Sequence, residues 1–475
     1  MNLHLVILLG YSIGLIVLGL WISRRVKGTK DFFVAGRELG PGLLFSTLLA
    51  ANIGAGSTVG ATGLGYRDGL AAWWWVGSAA IGSFILAFWI GPAIRRAAAE
   101  HDLRTVGDFL EYRYSNAVRG IVAVILWIGS LAILAAQLIA MESILNVVAG
   151  IPKAIGCAIG GTLITIYFAA GGLKTSVWVN VVQLIVKFAG FLIALPLALS
   201  AVGGWSAVRA MPVPADDYWN FFNGGASGLV FIALLTPAFI VSPGILQKLY
   251  GAKDDRTVRL GVGWSAAGLL AYAIVPVVLG MIARARVPDL PSSDMALPWI
   301  LMHGVPPLVG AVGLAAVFSA ELSAADAVLF MLTTSLSQDL YKRFVRPAAT
   351  DAQVLKVARI TAVVAGAIGT WLAIISPGVI SALSIFYTLL GVTLFVPIIA
   401  GLYVGRAGTP EAIAAIAAGV VGMVGLQMAT AGKGVGPLTP ALLGLLLAVA
   451  GFTVILFARG RARESSITNH QSRIP

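Results

Sequence analysis

Long, uninterrupted apolar segments constrain this chain more than any other feature. Of its 475 residues, 59% are hydrophobic and only 11% are charged, whereas soluble domains carry about 25% charged residues. A helix needs about 20 mostly apolar residues to cross a bilayer. Inside lipid the backbone must satisfy its own hydrogen bonds, so only helices and closed barrels can span it. The apolar segments are continuous rather than alternating, which excludes a barrel and predicts an all-α polytopic membrane protein.

Apolar length predicts about thirteen transmembrane helices. Their predicted bounds are 3–23, 41–65, 71–94, 116–149, 153–171, 176–200, 226–248, 258–282, 309–338, 355–375, 378–402, 411–431 and 437–458. The longest gaps lie near 201–225 and 283–308, and neither has room for a soluble domain.

Lysine and arginine are concentrated in one set of alternate loops. Two of the groups in that set are Arg24, Arg25, Lys27, Lys30 and Arg37, and then Lys248, Lys253, Arg256 and Arg259. Positively charged loops stay in the cytoplasm. We therefore expect a multi-pass protein of the cell membrane, specifically the inner membrane of a bacterium. Its N-terminus would lie outside the cytoplasm and its C-terminal tail inside it. The formal net charge of +12 therefore requires no nucleic-acid partner. In the first segment the charges follow the apolar residues, which is unlike a cleaved signal peptide.

Two apolar segments are interrupted at matching places in the two halves of the chain. The second contains the run 52–57, Asn-Ile-Gly-Ala-Gly-Ser, and the seventh contains Thr236-Pro237 and Ser242-Pro243-Gly244. A matched pair of this kind is the best pointer in sequence to the inverted repeats and the binding site of a transporter. The alternative is that these residues only permit kinks or close packing. The first interpretation divides the chain into a flanking helix and loop (1–40), a first repeat (41–200), an external loop (201–225), a second repeat (226–405) and C-terminal helices with a basic tail (406–475).

Polar side chains inside membrane spans are costly and usually functional. Asn180, Gln183 and Lys187 share one helical face by their spacing, as do Ser319, Ser323 and Asp326. Lys187 is either a charge with a role in transport or a structural charge that snorkels to the membrane surface or is paired with a partner. Around the two interruptions and in the neighbouring spans, the residues that we predict to face the solute are Asn52, Ser57, Gln137, Ser242 and Tyr387.

Six segments, in order, resemble the sodium:solute symporter family. They are 31–37 (DFFVAGR), 49–53 (LAANI), 171–173 with 179–183 (GGL and VNVVQ), 247–253 (QKLYGAK), 323–326 with 338–341 (SAAD and QDLY) and 401–403 (GLY). The corresponding family segments are DYFLAGR, the broken first core helix, GGL…TDxxQ, QR…AAK, STAD…RDIY and GLYW.

The resemblance implies a LeuT-like core of two inverted five-helix repeats and uptake of a small organic solute driven by a sodium gradient. It also implies which residues bind the coupling ion. These are the carbonyls of Ala50, Ile53 and Ala320 and hydroxyls at positions 323 and 324, a set of oxygen ligands that suits a hard cation. Asn52 matches a position that faces the solute. No other cofactor is expected.

Two positions depart from the family pattern. Residue 324 is Ala where the family has Ser or Thr, and residue 180 is Asn where the family usually has Asp. Both changes weaken cation binding. Lys187, two turns further along the helical face of Asn180, is a candidate for a built-in cation, and Asp326 is an alternative source of the lost negative charge. The hypothesis that follows is that sodium coupling is weakened or is replaced by proton coupling or by cation-independent transport.

Three other classes fit less well. An ion channel would need charge rings or a filter loop, an intramembrane enzyme would need a nucleophile with a nearby base, and a sensor would need a cytoplasmic signalling module. None of these stands out in the sequence. The expected partners are a small-molecule solute and the lipid bilayer, the functional unit is expected to be a monomer, and the identity of the solute stays open.

Overall fold

The computed structural model of the chain is almost entirely helical. It describes the backbone of residues 3–23, 39–171, 173–430, 432, 434–436 and 438–471, and the side chains of 3–14, 17, 39–166, 183–430, 432, 434–436 and 438–459. The family-like segment 31–37 lies outside the described residues, and so does the side chain of Asn180.

The α-helices of the described residues are numbered in chain order. They are α1 (Leu3–Ser23), α2 (Pro41–Asn52), α3 (Ala61–Asp68), α4 (Trp73–Ile85), α5 (Gly91–Glu100), α6 (Val106–Arg113), α7 (Asn116–Ala149), α8 (Lys153–Gly171), α9 (Leu173–Ala201), α10 (Trp205–Arg209), α11 (Val230–Val241), α12 (Pro243–Tyr250), α13 (Asp255–Tyr272), α14 (Ile274–Arg286), α15 (Ala296–His303), α16 (Pro307–Thr334), α17 (Asp351–Ile375), α18 (Val379–Tyr403), α19 (Thr409–Ala429) and α20 (Pro440–Gln471). Short 3₁₀ turns lie at Gly69–Ala72 and Ser293–Met295, and π-helical turns lie at Gly56–Gly60, Leu86–Ile90 and Ser335–Val345. A small antiparallel pair joins β1 (Asn223–Gly224) to β2 (Ser227–Gly228), with Asn223 opposite Gly228.

Ten helices in the described part of the chain are long and apolar enough to cross a membrane. Shorter apolar helices lie at Leu3–Gly14, Pro41–Asn52 and Lys153–Ile166. Each of the predicted apolar segments contains helix, which confirms the prediction of an all-α polytopic membrane protein. The number of thirteen crossings stays a prediction.

The chain is broken at both of the predicted interruptions. Helix α2 ends at Asn52 and helical structure resumes at Gly56, while α11 ends at Val241 and α12 begins at Pro243. Within the second segment only the Ser242-Pro243-Gly244 run breaks the helix. Pro237 lies inside α11, so a break at Thr236-Pro237 is wrong. Proline is tolerated within a membrane helix where neighbouring groups satisfy the freed backbone.

Small residues let the helices around the first break approach closely. Helix α3 packs on α14, where a Cβ added to Gly280 would lie 2.1 Å from the Thr62 carbonyl oxygen and one added to Gly65 would lie 2.5 Å from the Val277 carbonyl oxygen. In lipid, packing of this kind replaces the hydrophobic effect as the force between helices. It holds α3, the part of the first broken helix that follows the break, in a fixed position.

The predicted loop at 201–225 folds against the junction between α3 and α4. The Tyr218 hydroxyl donates to the Gly65 carbonyl at 2.8 Å, and the Trp74 indole N–H donates to the Phe221 carbonyl at 2.9 Å. Tyr218 is buried. The loop therefore covers the helices on this side of the bundle.

Candidate functional site

The first break exposes backbone carbonyls that an unbroken helix would use. The chain leaves α2 at Ile53, with φ −96° and ψ 86°. In a regular helix the Gly54 N–H would donate to the Ala50 carbonyl, but here it donates to Ser57 Oγ at 3.1 Å. The N–H of Ser57, which would reach Ile53 in a regular helix, donates to the Gly54 carbonyl. The carbonyls of Ala50 and Ile53 are thus available to another donor.

A glutamine from another helix holds the break in place. Gln137 of α7 accepts a hydrogen bond from the Ala55 N–H through Oε1, at 3.0 Å. The Ser57 hydroxyl donates to the Asn52 carbonyl at 2.8 Å. The unwound segment is therefore fixed by specific side chains, as buried backbone polar groups require.

Lys187 supplies the donor for both free carbonyls. Its Nζ lies 2.9 Å from the Ala50 oxygen and 3.0 Å from the Ile53 oxygen. Its side chain is 0% exposed, so the snorkelling interpretation of Lys187 is wrong. The ammonium sits against the two carbonyls at which the family resemblance implies a sodium ion.

Glu321 of α16 is a fully buried carboxyl group that acts electrostatically on this lysine. Its Oε1 accepts a hydrogen bond from the Thr58 hydroxyl at 2.7 Å, and among the described residues its Oε2 has no hydrogen-bond partner. A buried ammonium is stable only when charge and hydrogen bonds compensate its lost hydration.

Position 324 lies directly against the unwound segment. A Cβ added to Gly54 would lie 2.7 Å from the Cβ of Ala324. Ala320 and Ser323 are also buried in α16. The helix that the resemblance implies as the second half of the cation site therefore packs against the break, but it offers a methyl group at 324 in place of a hydroxyl.

A second buried lysine joins the two broken helices. Ser242 has φ −57° and ψ 119°, and Lys248, two turns into α12, donates from Nζ to the Thr47 carbonyl at 3.0 Å. Lys248 is only 7% exposed, so its assignment to a basic loop is wrong. Its long apolar stem is buried, and its ammonium reaches Thr47 in the middle of α2.

A central cavity lies where the two breaks meet. It contains about 900 Å³ of empty space, part of it open to solvent. The first broken segment contributes Ala51, Asn52, Gly54, Gly56 and Ser57 to its wall, and the second contributes Ser242, Gly244, Ile245 and Lys248. All five residues predicted to face the solute, Asn52, Ser57, Gln137, Ser242 and Tyr387, line this one cavity. That they bind solute stays a prediction.

The remaining predicted site residues lie behind the cavity wall. Gln183 is fully buried on α9, four residues before Lys187, and among the described residues neither atom of its amide has a partner. Asp326 is buried and acts electrostatically on Lys248. Asn180 lies in α9, with its side chain outside the described residues.

Sequence reasoning missed Lys248 and the contact between Thr58 and Glu321. The signal for Lys248 was its place only four residues after Pro243-Gly244, inside a segment predicted to span the membrane. Nothing in the sequence pairs Thr58 with Glu321, which are 263 residues apart.

The central cavity continues toward the side that carries the basic loops. A second cavity shares Met331 and Phe386 with it and extends to Thr105, Arg119 and Asp339. Arg119 is salt-bridged there to Asp108 at 2.9 Å and Glu111 at 2.7 Å, and to Asp339.

Two helices that break beside a central cavity, within a bundle of membrane-spanning helices, define a secondary transporter. The model of the sodium:solute symporter family matches residues 32–419, and the chain belongs to this family. It is therefore a cation-coupled symporter with a LeuT-like fold.

Relatives and a solved structure agree with this assignment. The sodium/pantothenate symporter of Escherichia coli (strain K12) is 28% identical over 471 residues, which cover 90% of this chain and 91% of that protein. The sodium/glucose cotransporter of Vibrio parahaemolyticus is 28% identical over 396 residues, 74% of this chain and 71% of that protein. The structure of a Na+-coupled sialic acid symporter, in a substrate-bound outward-open state, aligns with a TM-score of 0.79 and 18% identity over 96% of this chain and 97% of that one.

Proposed function

We propose that this symporter couples uptake of a small organic solute to the proton gradient, and that the Lys187 ammonium takes the place of the coupling sodium ion. The observation that carries the proposal is the pair of hydrogen bonds from Nζ to the carbonyls of Ala50 and Ile53, at 2.9 and 3.0 Å. The solute would bind in the central cavity, against the two unwound segments.

An ammonium and a sodium ion carry the same charge and favour the same carbonyl oxygens, so the two compete for one position. Three features of the chain favour the ammonium, and two of them are the departures from the family pattern. Lys187 is fully buried at the carbonyls, Ala324 brings no hydroxyl, and Asn180 brings no negative charge. Together they replace a diffusible cation with one that is tethered to the protein.

A tethered ammonium cannot leave the site with the solute, so it cannot itself dissipate a sodium gradient. Only its proton can exchange between the two sides of the membrane. Lysine changes its protonation state readily when it is buried. The proton is therefore the coupling cation that remains when the lysine ammonium fills the sodium position.

Proton entry into proteoliposomes tests the proposal. The solute is first identified by a thermal-shift screen of the purified protein, since a specific ligand raises the apparent stability. Adding that solute outside vesicles loaded with the pH dye pyranine should acidify the interior at the same rate in sodium and in potassium buffer, and Lys187→Ala should abolish the signal. Solute uptake that requires sodium, without acidification, would refute proton coupling.

We further propose that the protein works as a monomer in a bacterial inner membrane, with its N-terminus outside and its C-terminus in the cytoplasm. The distribution of basic residues supports this orientation. Fusions of a fluorescent protein that matures only in the cytoplasm should be bright at the C-terminus and dark at the N-terminus. The opposite result would reverse the proposed orientation.

A further inference from the structure

We infer that the solute is a small carboxylate with an apolar body, and that Lys248 is its charge partner. The inference rests on the proposed function of the central cavity as the solute site. It follows from three properties of the cavity wall, namely its charge, its hydrogen-bond donors and its apolar surface.

Among the described residues that line the central cavity, Lys248 is the only one with a charged side chain, and none is an aspartate or glutamate. One N–H of its ammonium is directed to the Thr47 carbonyl, and an ammonium has three. Asp326 acts on Lys248 electrostatically but does not itself line the cavity. A solute in the cavity therefore lies beside a lysine, and the carboxylate that acts on this lysine is not among the residues of the cavity wall.

The cavity also receives the N-terminal ends of two half-helices. Gly56 begins the outer half of the first broken helix, Gly244 lies in the first turn of α12, and both line the cavity. The N-terminus of a helix carries a partial positive charge and N–H groups that lack helical partners. In transporters with broken helices such ends point at anionic groups of the substrate.

Gln137 adds a donor from a third helix. It lines the cavity and is only 3% exposed. Its Oε1 already accepts from the Ala55 N–H, and this is the one hydrogen bond of the amide found among the described residues. Because one end of the amide is fixed by this bond, the NH₂ end is the one left for a ligand. The polar groups of the cavity thus favour a solute that accepts hydrogen bonds.

Aromatic rings form the apolar part of the wall. The ring centroid of Tyr387 lies 6.1 Å from that of Trp75, 5.5 Å from that of Phe239 and 5.2 Å from that of Phe386, and all four residues line the cavity. Such a cluster covers an apolar body and offers few partners to the many hydroxyls of a sugar. A quaternary ammonium would find the rings but would be repelled by Lys248.

Equilibrium binding in detergent, with no ion gradient, tests the inference separately from the coupling mechanism. The probes are phenylacetate and hexanoate, each with its neutral amide, together with glucose, choline and iodide. They are measured by thermal shift and calorimetry on the full-length protein, on Lys248→Gln, on Lys248→Arg and on Lys253→Gln, an exposed lysine outside the cavity.

The inference predicts that at least one carboxylate binds at least tenfold more tightly than its amide and than glucose, choline or iodide. Lys248→Gln should weaken carboxylate binding at least tenfold and leave amide binding unchanged, while Lys248→Arg and Lys253→Gln keep the preference. Equal binding of acid and amide, stronger binding of glucose, choline or iodide, or binding of neither carboxylate would overturn it. A carboxylate preference with sodium-driven uptake would leave this inference standing and refute only proton coupling.

Discussion

Removing the Lys187 ammonium should convert the site into one that responds to sodium. In Lys187→Ala the carbonyls of Ala50 and Ile53 lose their donor. A hydrogen bond from a charged donor contributes about 1.5–3 kcal/mol, so the two bonds together contribute about 3–6 kcal/mol. We therefore expect the free energy of unfolding to fall by about 3–6 kcal/mol in sodium-free buffer.

Sodium should restore part of this loss, because the vacated position again offers carbonyl oxygens to a cation. A ligand present at 100 times its dissociation constant stabilises by about 2.7 kcal/mol. The double variant Lys187→Ala/Ala324→Ser, which also returns the missing hydroxyl, should show the larger recovery. The unmodified protein should be equally stable in sodium and in potassium.

The assay is denaturant unfolding of the purified protein in detergent, in matched sodium and potassium chloride. Lys153→Ala is the control, because Lys153 also donates to a carbonyl, that of Ser376 at 2.6 Å, but does not contact the broken helices. If sodium stabilises the unmodified protein as strongly as the double variant, the ammonium does not occupy the cation position and the reasoning is wrong.

Three further predictions concern residues around the same site. Lys187→Ala should reduce solute uptake in proteoliposomes far more than Lys153→Ala, and equal activities would indicate that Lys187 is only a structural charge. Gly54→Ala should destabilise the protein by about 1–3 kcal/mol, because the new Cβ would lie 2.7 Å from Cβ of Ala324. In thermal unfolding the double variant Gly54→Ala/Ala324→Gly should be more stable than Gly54→Ala alone. If the effects of the two substitutions simply add, the two positions are not in contact. Asp294→Ala should lower the free energy of unfolding by about 1 kcal/mol, because Asp294 accepts a hydrogen bond at 3.0 Å from the Val379 N–H at the start of α18. Denaturant unfolding measures this change. An unchanged midpoint would show that Asp294 does not stabilise the helix end.

The fold was largely predictable because lipid leaves few alternatives. Apolar length located the helices, and glycine, proline and serine located the two breaks to within a few residues. The error at Pro237 shows the limit of this reasoning, since a membrane helix can contain proline where its neighbours satisfy the backbone. Sequence cannot show which prolines have such neighbours.

The site was predictable only in part. The spacing of Asn180, Gln183 and Lys187 placed a lysine on the correct helix face, but only the three-dimensional arrangement shows that its ammonium reaches Ala50 and Ile53. Lys248 was counted as a loop charge because a long side chain near the end of an apolar segment can either leave the membrane or fold inward. That choice depends on the Thr47 carbonyl, 201 residues away in sequence.

If the Lys187 ammonium fills the cation position, as we propose, family resemblance has a narrower meaning for this chain. The backbone carbonyls at a broken helix are common to many sequences, because any residue supplies them. Their ligand is decided by side chains elsewhere, here by a lysine on α9 and a methyl group at position 324. Family membership thus predicts where a cation is held, while the residues around it decide which cation that is.

The most direct test of this account is an experimental structure of the protein at high resolution in sodium-containing buffer. The account predicts density for the Lys187 ammonium within hydrogen-bond distance of the Ala50 and Ile53 carbonyl oxygens, with no separate ion between them. A sodium ion bound to those two oxygens, with the lysine side chain turned away, would contradict it.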